Sequence, residues 1–248
     1  MLAHAIAAER IKLLTTRSAY WCSGIVVLLG LGLAILLAWA TTSDSGSGST
    51  SESDFLVGTT AFGVTVLMIM AVLAVTSEFR FGTIRTSFQA IPHRSNVMYA
   101  KAAVYGGLSA LLTFVLTVIS LPLAKSISGN DLALLGSDAL RLYWGVPLYT
   151  FLSVLIGLGL GALIRQTAGA IVILLVWSLV LEGVLSVIPK VGDAVGPFLP
   201  FLNGSHFIDG SDLGIDWHWN EYGSLIYYLV FAVVMFGVGV MVTDRRDT

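Results

Sequence analysis

Long uninterrupted apolar runs, separated by short polar stretches, set the pattern of this chain. A bilayer core about 30 Å thick is crossed by about 20 mostly apolar helical residues. Six runs meet that length: 20–40, 55–76, 102–124, 143–164, 168–188 and 222–242. They are continuous and do not alternate every second residue, which argues for helices and against a membrane β-barrel. Backbone polar groups cannot be left bare in hydrocarbon, so each run predicts a spanning helix. The expected fold is therefore an all-α integral membrane protein with six transmembrane helices in a single domain over 1–248.

The connecting segments carry their own patterns. Residues 1–19 mix Leu2, Ile6, Leu13 and Leu14 with Arg10, Lys12 and Arg17, as in a helix lying in the membrane interface. The stretch 41–54, TTSDSGSGSTSESD, reads as a flexible polar loop. Leucines at helical spacing between Asp131 and Leu142 predict a short amphipathic helix. The segment 189–221 is apolar at first but broken by Pro189, Pro197 and Pro200, which suits a re-entrant or interfacial element. Its second half is acidic and aromatic. His206 and His218 fall in this segment among Asp209, Asp212 and Asp216 in no metal-ligand spacing, and read as solvated loop residues.

Composition agrees with lipid as the main solvent. The chain of 248 residues is 56% hydrophobic and 11% charged, whereas a soluble domain is about 25% charged. The net charge of -2 matters less than its distribution. With the N-terminus cytoplasmic, the inner segments hold Arg10, Lys12, Arg17, Arg80, Arg85, Arg94, Lys101, Arg165, Arg245 and Arg246, leaving Lys125, Arg141 and Lys190 outside. The positive-inside rule then places both termini in the cytoplasm. Ala38-Trp39-Ala40 resembles a signal-peptide cleavage site, but the preceding apolar run is longer than the 7–15 residues typical of signal peptides. Cys22, the one cysteine, sits in an apolar run and can make neither an internal disulfide nor a cysteine-based metal site.

Catalytic signatures are absent. No Gly-Lys pair occurs, so there is no phosphate-binding loop of the G-x-x-x-x-G-K-S/T type, and neither H-E-x-x-H nor G-x-S-x-G is present. No enzyme activity, metal or cofactor is expected in this chain. Glu182 lies mid-span in the fifth run, at membrane depth, where a carboxylate needs a partner or water. A structural hydrogen bond, a protonated acid and a place on a transport path are all open. Gly157 and Gly161 in the fourth span put small residues one turn apart, a face for close helix packing.

The most informative connection is 76–101, TSEFRFGTIRTSFQAIPHRSNVMYAK, which is basic and amphipathic and reads as a cytoplasmic helix across the base of the bundle, either presenting side chains to the cytoplasm or only anchoring to lipid headgroups. Glu78-Phe79-Arg80-Phe81-Gly82-Thr83-Ile84-Arg85, followed by Pro92, Arg94 and Ala100-Lys101, resembles the first coupling region of type-2 ATP-binding-cassette (ABC) transporter permeases. Glu9-Arg10-Ile11-Lys12-Leu13 with Thr16-Arg17-Ser18 is similar to the cytoplasmic N-terminal segment of that family. The resemblance extends over nearly the whole chain. It implies two permease copies, as a homodimer or a related heterodimer, in a bacterial plasma membrane. Two copies of a cytoplasmic ABC ATPase would bind ATP and Mg beneath them, and no nucleic-acid partner is implied. The coupling interface would comprise Glu78, Phe79, Arg80, Phe81, Gly82, Thr83 and Arg85, with Arg165 and Gln166 as a second contact. The cargo would be a hydrophobic drug, peptide or lipid moved outward. The residues alone also admit an ATP-independent secondary transporter or channel, and a membrane immunity or binding protein.

Overall fold

The computed structural model describes residues 2–43, 51–81, 95–129, 132–188, 191–210 and 214–246. All regular structure among them is helical. Helix α1 (Leu2–Thr15) precedes α2 (Arg17–Ser43). A 3-10 turn (Asp54–Leu56) and a π turn (Gly58–Gly63) lead into α3 (Val64–Phe81). Helix α4 (Ser95–Lys101) continues through a π turn (Ala102–Gly106) into α5 (Gly107–Ser128), and α6 covers Ser137–Ile164. Helix α7 (Thr167–Leu175) runs through a π turn (Val176–Leu181) into α8 (Glu182–Val187). The short helices α9 (Val191–Val195) and α10 (Pro200–Asp209) precede α11 (Glu221–Arg246).

Six of these helical stretches are long and apolar enough to cross a membrane: Arg17–Thr42, Asp54–Phe81, Ser95–Ser128, Ser137–Ile164, Thr167–Val187 and Glu221–Arg245. They coincide with the six apolar runs but reach further at most ends. The physical reason is that a backbone helix continues past its apolar stretch until something stops it. The third span is already helical at Ser95, seven residues before its apolar run, where Ser95–Lys101 has a packing partner in α1. The amphipathic segment expected near Asp131–Leu142 is no separate helix. From Ser137 it forms the first turns of the fourth span, and Asp131 lies outside the described residues. The broken segment after the fifth span stays broken, and Pro200 starts α10 at a position where its missing N–H costs nothing.

The fourth span is the hub. Of its most apolar stretch 72% is buried, against 17% in the fifth span. It packs on the second, third and sixth spans, while the first span packs on the second and third. Its Gly-Leu-Gly-Leu-Gly stretch explains how it serves two neighbours. A Cβ on Gly157 would sit 2.7 Å from the Met68 carbonyl oxygen, and one on Gly161 3.2 Å from that of Val72, so this face meets the second span backbone to backbone. Gly159 faces the other way. It abuts Met235 and Phe236 of the sixth span, where Gly239 answers it. The small-residue face expected at Gly157 and Gly161 is thus one of two, set by the one-turn spacing of glycines and the half-turn offset of Gly159.

Helix α1 packs on α4 through a stripe of Ala5, Glu9 and Leu13, all buried, with Ile11 and Leu14 exposed. Helix α1, the end of α3, α4, the turn between the fourth and fifth spans and the end of α11 meet on one face of the bundle, here termed the terminal face.

Candidate functional site

On the terminal face, four charges close into a ring. Lys101 Nζ donates to Glu9 Oε2 at 2.8 Å and to Glu78 Oε1 at 2.7 Å. Lys12 Nζ donates to Glu9 Oε1 and Glu78 Oε1, both at 2.8 Å. Glu9, Glu78 and Lys101 are buried. Two carboxylates and two ammonium groups leave no net charge, the condition under which burial of ions is tolerable. The ring ties α1 to the end of the second span and the start of the third.

Burial works against the charge on Lys12, but its hydrogen bonds to Glu78 and Glu9 outweigh it and raise its pKa above the ordinary 10.5. A raised lysine pKa contributes stability that is complete below pH 10.5 and is lost as pH climbs through the raised value. Thermal unfolding of Lys12→Gln should therefore run below wild type at neutral pH and converge on it in strong alkali. A gap that does not close there contradicts a charge role for Lys12.

The coupling segment expected as a helix across the base starts differently. Residues Glu78–Phe81 are the last turn of α3 itself, because no helix breaker intervenes before Gly82. Gly82, Thr83 and Arg85 lie outside the described residues. Glu78 points inward to the ion ring and is not offered to a partner. Arg80 and Phe81 are exposed. Phe79 is half-buried, and the Arg165 guanidinium stands over its ring with its carbon 4.6 Å from the centroid. Arg165 adopts a left-handed backbone conformation (φ 56°) that ends the fourth span and turns the chain into the fifth. Its Nη2 also reaches the Val242 carbonyl at 3.4 Å. One residue further on, Gln166 is exposed, and Thr167 Oγ1 donates to Thr76 Oγ1 at 3.1 Å. The described end of α3, Glu78 to Phe81, thus meets the turn at Arg165 through Phe79, with Arg80, Phe81 and Gln166 exposed.

A second site lies toward the opposite face. Glu182 sits at the start of α8, in the last two turns of the fifth span and not at its middle. It is 1% exposed. Its Oε2 accepts the Leu202 amide at 2.8 Å, while Oε1 is buried with no hydrogen-bond partner among the described residues. The Trp177 indole and the Phe201 amide lie near the same carboxyl. Glu182 lines a cavity of about 270 Å³ between the second, fourth and fifth spans and α10.

The roof beside this cavity is aromatic. His206 is buried in α10, stacked on Trp217 with centroids 4.0 Å apart, and its Nδ1 pairs with Ser224 Oγ at 2.8 Å. This corrects its reading as a solvated loop residue, because α10 carries it against the sixth span. His218 is exposed as expected, beside Phe198. Trp219 Nε1 donates to Asn203 Oδ1 and Ser224 Oγ, both at 3.0 Å. No family model matches the chain, and no curated protein matches it.

Proposed function

We propose that this protein is the membrane-spanning subunit of an ABC exporter in a bacterial plasma membrane. Two copies, identical or related, would form the path, and two cytoplasmic ATPase subunits would bind and hydrolyse ATP with Mg beneath the terminal face. The observation that supports this reading best is the joining of the α3 end to the Arg165–Thr167 turn. A docked ATPase pressing on Arg80, Phe81 and Gln166 would push one rigid patch anchored in the second, fourth and fifth spans at once. Contacts of that kind can bias a bundle between inward-open and outward-open states. The ion ring beside the patch locks α1 to the second and third spans, so the push is carried by braced elements. The cargo in this reading is a hydrophobic drug, peptide or lipid.

Arg80→Glu combined with Arg85→Glu reverses the charge of the coupling segment read from the sequence. The expected outcome is loss of ATPase co-purification with unchanged membrane insertion and thermal stability. Retained co-purification and transport in that variant would remove the docking role.

A further inference from the structure

The cavity beside Glu182 has a composition that selects its occupant. Its walls are largely apolar, with Met68 among them, and two aromatic rings, Tyr149 and Phe201, face into its lining. Asp54 and Asp209, both exposed, are part of its lining, and no lysine, arginine or histidine is among the described residues that line it. Within it lies a carboxyl group, 1% exposed, that has one oxygen satisfied by the Leu202 amide and the other without a hydrogen-bond partner among the described residues. A buried polar oxygen left unpaired is costly, and a buried charge without a counter-charge more so. An arriving cation removes that cost. Aromatic faces add attraction for an ammonium group, most strongly where water is excluded.

From this we infer that the cavity binds a small amphipathic organic cation, its ammonium group against Glu182 and its apolar part against Met68, Tyr149 and Phe201. The volume of about 270 Å³ limits the size. A cavity of about 150 Å³ takes benzene, so this one takes a single ring with a short ammonium arm. Anions are repelled by Glu182, Asp54 and Asp209. Neutral molecules of the same shape gain the apolar contacts but leave Glu182 unpaired. The site would be the cargo site of the exporter, and only that assignment rests on the transport reading, since binding itself needs no ATPase.

The test uses the full-length protein alone in lipid nanodiscs, titrated with benzyltrimethylammonium, with its uncharged carbon isostere neopentylbenzene, and with 3-phenylpropanoate. Wild type is expected to bind the cation saturably at least tenfold more tightly than the neutral isostere, and the anion not at all. Glu182→Gln should weaken the cation at least tenfold and leave neopentylbenzene within twofold. Ser178→Phe, which fills the cavity, should abolish binding of both. Equal affinities of the cation and its isostere in wild type, or no saturable cation binding, overturn the inference even if Glu182→Gln proves too unstable to use. Cation binding unchanged in a folded Glu182→Gln protein also overturns it. Selective binding in a protein that recruits no ATPase would leave the site standing and remove only the exporter reading.

Discussion

Lys101→Met is expected to cost about 3–5 kcal/mol of stability, the range seen when one partner of a buried ion pair is removed. Lys101 is 2% exposed and bridges two carboxylates that are themselves buried. Without it, Glu9 and Glu78 share only Lys12, and a net negative charge is left on two buried carboxylates. Glu78 Oε2 already lacks a hydrogen-bond partner among the described residues, which adds to the cost of the lost ammonium. Adding Glu9→Gln to Lys101→Met restores neutrality, and this double variant should regain most of the loss. Thermal unfolding in a fixed detergent or nanodisc checks both. A loss below about 1 kcal/mol, the scale of an exposed pair, would mean that the four charges do not form a closed ring.

The second large effect is expected at the crossing of the fourth and sixth spans. A Cβ on Gly159 would stand 2.5 Å from the Met235 carbonyl oxygen and 3.0 Å from the Phe236 Cα. One on Gly239 would stand 2.8 Å from the Gly159 Cα. Every atom in the way is backbone, so no side chain can swing aside and the helices must separate. Gly159→Val should therefore cost at least the roughly 1–3 kcal/mol of an overpacked core and lower the yield of folded protein. Gly237, two residues from Gly239 on the same helix, meets nothing within 4 Å. Gly237→Ala should be neutral within about 0.5 kcal/mol, as for substitutions away from packed features. Equal behaviour of the two variants in an unfolding assay would contradict this crossing.

The spans were legible because a single property, apolar length, specifies them. All six candidate spanning helices fall on the apolar runs. Their ends were less legible, since Ser95–Lys101 and Ser137–Leu142 are held helical by neighbours and not by their own hydropathy. The π turns at Gly58–Gly63, Ala102–Gly106 and Val176–Leu181 carry no local mark that distinguishes them from ordinary helix. The importance of Glu182 was visible as a carboxylate in an apolar run. Its surroundings were not, because the cavity is assembled from four separate parts of the chain.

The ion ring shows the same limit most plainly. Glu9 and Lys101 are 92 positions apart, and no periodicity links them. The signal that could have found them is a count of opposite charges flanking apolar runs on one face: Glu9, Lys12, Glu78 and Lys101 balance. Read locally, Glu78 belonged with Arg80 and Arg85 as one exposed stretch. Helical geometry instead turns Glu78 inward and leaves Arg80 outside.

In the proposed exporter, a separate ATPase drives this bundle. The most direct measurement is purification of the tagged full-length protein from its own membranes in mild detergent, with mass spectrometry of the intact assembly. The expected result is two copies of this chain with two copies of a cytoplasmic protein that carries a phosphate-binding loop and hydrolyses ATP, and loss of that partner in the Arg80→Glu, Arg85→Glu variant. A folded bundle that leaves the membrane with no such subunit would contradict the exporter reading and favour a transporter, channel or binding protein that works without ATP.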